Sequence, residues 1–417
     1  MRNINRTTII VFGLMSLTAG VARADCGGAL FKLLADDGAT FDNFGWSIDI
    51  DNGVAAVGAW GNGDRGPTSG SGYLFDAFTG AQLFKLIPSD GQGEDNFGYS
   101  IAIVAIGARY DDDNGFRSGS AYLFDSSTGE QIAKLLPSDG AERDWFGWSI
   151  AIDDGVVAVG APADDDNGSS SGSAYLFDAS TGAQIAKLLP SDGAEIDQFG
   201  RSVAIGNGVV AVGAWGDDDN GSDSGSAYLF DAITGAQIAK LLPSDGEAGD
   251  RFGLDVSIDN GVVAVGAFRN DDNGSSSGSA YLFEAITGVQ IVKILPGDGA
   301  DSDRFGYSIA IGSGIVAVGA YLDDDNGSQS GSAYLFDAND CGNGCVRSPE
   351  WQCDGDVDGD GQVNPVDGGL VQAAFGSLDA QDLCNYDFDC DGQINPVDGG
   401  IVQSLFGTCD APRGVCP

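Results

Sequence analysis

FGWSIAIDDGVVAVGAPADDDNGSSSGSAYLFDASTGAQIAKLL, residues 146–189, is the stretch that decides the fold. It contains four short runs rich in Val, Ile, Tyr and Phe: Trp148 to Ile152 (A), Val156 to Ala161 (B), Gly172 to Asp178 (C) and Ala183 to Leu189 (D). Between them lie Asp153-Asp154-Gly155, the polar loop Pro162 to Ser171, and the turn Ala179 to Gly182. β-Branched and aromatic runs fit a pleated surface while Asp, Asn, Gly and Ser fit turns, so the unit predicts a four-stranded antiparallel sheet. Its leading Phe-Gly recurs at Phe44, Phe97, Phe146, Phe199, Phe252 and Phe305, at spacings of 53, 49, 53, 53 and 53 residues. Six near-copies of such a sheet predict an all-β, six-bladed β-propeller over residues 25–340.

The strand count predicts how the ring closes. A, B and C occur six times, but D follows C only five times, and the sixth D-like run, Ala29 to Leu34, precedes every A strand. The N-terminal strand is therefore expected to finish blade six. That alignment puts Cys26 and Cys341 at the places of Thr181 and Gly182 in one C-to-D turn, which predicts a Cys26–Cys341 disulfide with Cys345 as the nearest competitor. Repeat two runs Ile101 to Gly107 without a counterpart of Asp153 to Val156, so its A and B strands must shorten around a new turn. Blade two is expected to be the least regular.

With Phe146-Gly147 and Val159-Gly160-Ala161-Pro162 as carriers, the unit resembles the FG-GAP repeat of integrin α-subunit propellers and of many secreted bacterial proteins. Phe-Gly and Gly-Ala have counterparts in every copy; the Pro does not. The resemblance implies an interaction or adhesion propeller. Integrin-type blades often hold calcium in an Asp-rich A-to-B loop, and this chain departs from them there, having only Asp153-Asp154-Gly155 or its equivalent.

Charge narrows the function. The 417 residues hold 19 Lys and Arg against 62 Asp and Glu, a net of −43, with no histidine. A nucleic-acid binder needs a basic footprint, so nucleic acid is not an expected partner. Without His there is no Ser-His-Asp or Cys-His machinery and no imidazole metal site. In a propeller the D-to-A and B-to-C loops share one face, and here those loops carry 34 acids and seven Arg, a net of about −27. The recurring Asp164-Asp165-Asp166-Asn167-Gly168 loop reads either as a solvated turn or as clustered carboxylates awaiting a hard cation. On the same face, the residues after Phe-Gly (Trp46, Tyr99, Trp148, Arg201, Leu254, Tyr307) and after Gly-Ala (Trp60, Arg109, Pro162, Trp215, Phe268, Tyr321) vary while their neighbours repeat. Aromatic rings beside carboxylates suit a sugar or a protein partner, or else they cap the core between blades. The candidate partner-binding residues are Trp46, Trp60, Tyr99, Trp148, Trp215, Phe268, Tyr307 and Tyr321.

The ends carry separate signals. Residues 1–24 combine Arg2 and Arg6, an apolar run Thr7 to Gly20 and Ala22-Arg23-Ala24, which predicts a cleaved signal peptide, a secreted chain and no membrane span. Cleavage leaves 16 basic and 62 acidic residues, a net of −46. After a linker at 341–351, residues 352–410 contain two Asp-x-Asp-x-Asp-Gly loops, followed by a tail at 411–417. The expected Ca2+ ligands are Asp356, Asp358, Asp360, Gln362, Asn364 and Asp367, then Asp387, Asp389, Asp391, Gln393, Asn395 and Asp398. Alternate spacing converges three carboxylates on one ion, and Gly361 or Gly392 reverses the chain. Val366, Leu370, Val371 and Phe375, and likewise Val397, Ile401, Val402 and Phe406, mark a short helix after each loop. Paired loops with Asp at position 12, each followed by one helix, resemble a dockerin, which implies a small α-helical, EF-hand-like calcium domain and a cohesin-like partner. The six cysteines Cys345, Cys353, Cys384, Cys390, Cys409 and Cys416 have 15 pairings open to them.

The expectation is a secreted, calcium-binding adhesion or interaction protein, its propeller holding a protein or glycan and its C-terminal domain acting as a calcium-dependent tether. The competing class is a polysaccharide-degrading enzyme, a glycosidase or lyase, since dockerins travel with such modules. Against it, the carboxylates repeat six-fold, whereas catalysis needs one asymmetric pair.

Overall fold

The computed structural model describes residues 32–338, apart from Asn52 and Asn326. All regular structure among them is β, in six consecutive antiparallel sheets. Sheet one is β1 (Ile48–Asp51), β2 (Val54–Ala59), β3 (Ser71–Asp76) and β4 (Gln82–Leu86); sheet two is β5 (Phe97–Ala102), β6 (Ala105–Ala108), β7 (Ser120–Phe124) and β8 (Gln131–Leu135). Sheet three is β9 (Ser149–Asp153), β10 (Val156–Ala161), β11 (Ser173–Asp178) and β12 (Gln184–Leu188), and sheet four is β13 (Val203–Gly206), β14 (Val209–Ala214), β15 (Ser226–Asp231) and β16 (Gln237–Leu241). Sheet five is β17 (Phe252–Asp259), β18 (Val262–Ala267), β19 (Ser279–Glu284) and β20 (Gln290–Ile294). Sheet six has three strands among the described residues: β21 (Phe305–Gly312), β22 (Ile315–Ala320) and β23 (Ser332–Asp337). The four runs read from residues 146–189 thus fall within a residue of β9 to β12.

The central strands of sheets one to five are buried on both faces, and the core lies between neighbours. Ala158, Leu176 and Leu188 of sheet three pack against Phe199, Val210, Val212, Tyr228 and Phe230 of sheet four, and the same pairing joins sheets two and three. This explains why β10 reads as a continuous apolar run rather than an alternating one. Phe-Gly is the coupling device. Phe199 N–H donates to Ser171 carbonyl oxygen at 3.0 Å, beside a parallel bridge between Gly172 and Phe199. Its ring lies edge-on to Tyr228 and Phe230, with centroids at 5.5 and 5.7 Å. A Cβ on Gly160 would sit 1.9 Å from Gly200 carbonyl oxygen, so the repeated Gly-Ala keeps adjacent sheets in backbone contact.

Blade two retains four strands despite its missing residues. β6 shrinks to four residues, and Ile103-Val104 make the new connection. The shortened hairpin helps line a cavity of about 650 Å³ shared with Asp49, Val54, Ser126 and Ile152 to Asp154.

The expected closing strand is not seen: Lys32 to Leu34 lie outside any strand, and Ala29 to Phe31 are outside the described residues. Also outside them are residues 1–24, all eight cysteines including Cys26 and Cys341, and the expected calcium loops of 352–410. Among the described residues no helix is long and apolar enough to cross a membrane.

Candidate functional site

In sheets one to five the acidic face is organised by one lysine per sheet. Lys187, on β12, reaches Asp139 of the preceding D-to-A loop at 2.7 Å, and Asp164 and Asp166 of the B-to-C loop at 3.2 and 2.6 Å. The Tyr175 hydroxyl shares its one hydrogen between Asp139 and Asp164, at 3.1 and 2.9 Å. Lys134 and Lys240 repeat the arrangement with Asp90, Asp111 and Asp113, and with Asp192, Asp217 and Asp219. In sheets one and five the first loop acid is Asn62 or Asn270, and Lys85 and Lys293 hold two carboxylates each. Burial alone would lower the lysine pKa; bonds to Asp139 and Asp166 and the field of Asp164 outweigh it and hold Lys187 above the ordinary value. Burial also raises Tyr175, with the Asp164 charge adding to it.

The carboxylates of the Asp-Asp-Asp-Asn-Gly loops have protein partners in this arrangement. Asp164 also accepts the N–H of Asp166 at 3.0 Å, and Asp165 accepts that of Ser170 at 2.7 Å, so the loop carboxylates shape the turn and meet an internal ammonium. Among the described residues no group of three Asp, Glu or Cys is arranged to hold a metal. A further acid in each D-to-A loop stays unneutralised. Burial pushes Asp95, Asp144 and Asp197 up to about 6, against the N–H bonds they accept from Gln92, Ala141 and Ala194, and the nearby Asp111, Asp164 and Asp217 add to the rise.

Inside this rim the variable positions come together. Trp46 lies 5.8 Å from Trp60 and 5.6 Å from Tyr99, and Tyr99 lies 5.3 Å from Trp148, so blades one to three present a continuous aromatic belt. Phe268, Tyr307 and Tyr321 form a second group, at 5.4 and 4.5 Å. Trp215 stands apart, under the Arg251 guanidinium and donating to Gln198 at 3.2 Å. Of the eight predicted residues, only Phe268 is buried; Trp46 is 54% exposed, Tyr307 and Tyr321 are exposed, and the rest are half-buried. A role confined to capping the core therefore fits Phe268 and not the belt.

Arginine is the component that the sequence reading missed. Arg109 lies over Tyr99 at 3.5 Å, Tyr110 at 4.4 Å and Trp148 at 4.6 Å, and Arg201 covers Trp148 at 4.4 Å. Trp145, the residue before Phe-Gly, stacks on Trp148 at 5.4 Å and takes a positive φ of 57°. The signal was present: positions before Phe-Gly and two after Gly-Ala also vary between copies, for example Trp145 against Arg251 and Tyr110 against Arg269.

Comparison with known proteins agrees with this architecture. No curated protein matches the chain. The FG-GAP repeat model matches six times, at residues 30–75, 81–124, 130–177, 183–230, 236–283 and 289–336, together more than half of the sequence. These segments contain the Phe-Gly couplings, the lysine cross-links and most of the aromatic belt, and the chain therefore belongs to the FG-GAP repeat family as an interaction-type β-propeller protein.

Proposed function

We propose that this chain is a secreted, non-catalytic interaction protein whose acidic face binds a glycan or protein partner through the belt Trp60, Trp46, Tyr99 and Trp148. The calcium loops of residues 352–410 serve as a Ca2+-dependent tether, with a cohesin-like module as partner. The carrying observation is that the variable positions of three successive blades meet in one half-exposed aromatic strip, whereas the repeated positions are buried. Variation concentrated in a solvent-facing strip is what recognition requires. An enzyme reading gains no support from the carboxylates, which have the same partners in sheet after sheet. Asp255 does break the pattern, standing where other copies carry Ser, but it is engaged by Ser202, Ile309 N–H and Val256 N–H. The test is a glycan array and partner capture with the full chain and its Trp46→Ala and Trp148→Ala variants. Binding lost in both variants is expected; turnover of any polysaccharide, or binding indifferent to both, would overturn the proposal.

The ring itself is closed, in this reading, by the N-terminal strand Ala29 to Leu34. Leu33 and Ala35 pack on the cluster of Tyr73 and Phe75 as Leu188 does on that of Tyr228 and Phe230. Asp36 N–H donates to Gln82 at 3.0 Å, as Ser138 N–H does to Gln184 at 2.9 Å. Residues 32–38 thus already occupy the D-to-A place on sheet one. On sheet six, Tyr334 meets Asp298 and Asp323 at 3.0 and 2.9 Å with no lysine beside them among the described residues, and Lys32 aligns with Lys187. Leu335 is 74% exposed where its counterpart Leu176 is fully buried, and Ile48 and Ile50 are exposed at the other end. Pairing the N-terminal strand with β23 would cover all three. Non-reducing peptide mapping should recover a Cys26–Cys341 link; Cys26 joined elsewhere would remove the disulfide.

A further inference from the structure

Six arginines on this face, Arg65, Arg109, Arg117, Arg201, Arg269 and Arg304, lack a counter-ion among the described residues, and Arg109 and Arg201 meet on one ring, Trp148. Five lysines, Lys85, Lys134, Lys187, Lys240 and Lys293, are paired with carboxylates. Arg109 and Arg201 are not: neither has an acidic partner within ion-pair or hydrogen-bonding distance among the described residues, in a chain with a net charge of −43. The Arg109 Nε is buried without a hydrogen-bond acceptor, as are those of Arg251, Arg269 and Arg304. Trp148 lies between the two guanidiniums, 4.6 Å from one and 4.4 Å from the other. Burial depresses the pKa of both groups, and the Arg201 charge depresses Arg109 further. Cation–π contact returns part of the desolvation cost, but two neighbouring guanidiniums still repel each other. Dozens of carboxylates lie on the same face, yet among the described residues none is set against this pair as they are against the lysines.

We propose that Arg109 and Arg201, set between Tyr99 and Trp148, form an anion subsite that takes the carboxylate or sulfate of an acidic sugar, while the exposed face of Trp46 stacks on a neighbouring sugar ring. Guanidinium is suited to both anions because its planar fork donates two parallel hydrogen bonds to either. Flat aromatic faces a few ångströms away favour a saccharide, whose C–H faces stack on them, and the surrounding carboxylates can accept hydrogen bonds from sugar hydroxyls. This rests on the reading of the belt as the binding face and adds the charge of the ligand.

The experiment titrates the full chain, by calorimetry and tryptophan fluorescence, with three oligosaccharides of equal length: an oligogalacturonate, a sulfated galacto-oligosaccharide and its uncharged parent. One or both anionic sugars are expected to bind at least tenfold more tightly than the neutral one, and the preferred one identifies the anion. Arg201→Gln and Arg109→Gln should each weaken that binding about tenfold or more without lowering Tm, since each removes an uncompensated charge; Arg201→Lys should keep part of it. Trp46→Ala should weaken charged and neutral sugars alike. A neutral sugar that binds as well as the anionic ones, or arginine variants that bind like the parent, would overturn the anion subsite and leave the aromatic binding face standing. Arginine variants with a clearly lowered Tm would show the pair to be structural. Failure of all three sugars would overturn the subsite too; the binding face would then rest on protein capture and on its loss in Trp148→Ala.

Discussion

Replacing Lys187 by Met separates a buried charge contact from two screened ones. Asp139 and Asp166 are both nearly half exposed, so losing their ion pairs is expected to cost about 0.5 kcal/mol each. Asp164 is only 5% exposed, and Lys187 15%. Without the ammonium, Asp164 keeps the Tyr175 hydroxyl and one loop N–H as partners in a poorly hydrated place. Removing one partner of such a buried pair costs about 3 kcal/mol. The expected loss is therefore about 4 kcal/mol in equilibrium urea unfolding. At about 2.1 cal/mol/K of unfolding entropy per residue, over residues 32–338, this lowers Tm by about 6 °C. Asp166→Asn alone should cost less than about 1 kcal/mol. The double variant Lys187→Met with Asp164→Asn should regain about 2 kcal/mol, because it removes the stranded charge. A Lys187→Met protein within about 0.5 kcal/mol of the parent, or a double variant no more stable than the single, would refute the lysine as the internal cation of the acidic loop.

Three further outcomes are expected. Asp95, Asp144 and Asp197, raised to about 6 by burial, bind protons more tightly folded than unfolded; their contribution is full below pH of about 3.8 and is lost as pH rises through about 6. Tm should therefore rise as pH falls from 7 to 5, less so in Asp144→Asn, and a flat profile would remove the argument. At lower pH the opposite group takes over: Lys134, Lys187 and Lys240 hold Asp90, Asp139 and Asp192 below the usual carboxylate range despite burial, and their stabilisation is lost as those carboxylates protonate. Gly160→Ala should abolish soluble folding, since its Cβ meets Gly200 carbonyl oxygen at 1.9 Å, whereas Gly155→Ala, at φ 79° with open space around it, should cost only about 1 kcal/mol; equal effects in expression and thermal melts would refute the backbone-contact role. Calcium added to the chelator-treated full chain should raise the melting temperature of a separate transition, and Asp356→Ala with Asp387→Ala should abolish that rise; a calcium-independent melt would refute calcium binding by residues 352–410.

The repeat was legible because each sheet is specified locally. Strand runs, turn residues and the 53-residue period lie within one unit, and the apolar spans of β10 or β11 already state that both faces are covered. The shortened hairpin of blade two could be located from its missing residues for the same reason. The crowding of acids on one face also followed from loop positions alone. What those acids do was not legible. Asp139, Asp164 and Lys187 are 23 to 48 residues apart, and only the return of β12 beside β11 brings the ammonium into the loops as an internal counter-ion. The arginines were hidden in the same way. Arg109 and Arg201 stand two copies apart in positions filled mostly by aromatic rings, and a linear pattern treats them as exceptions. Sequence by itself determined the unit, its number and its charge, since these depend on side-chain type and local spacing. Tertiary structure decided which charges are compensated, because that depends on the distance between blades, and it is there that Arg109 and Arg201 are left without a partner.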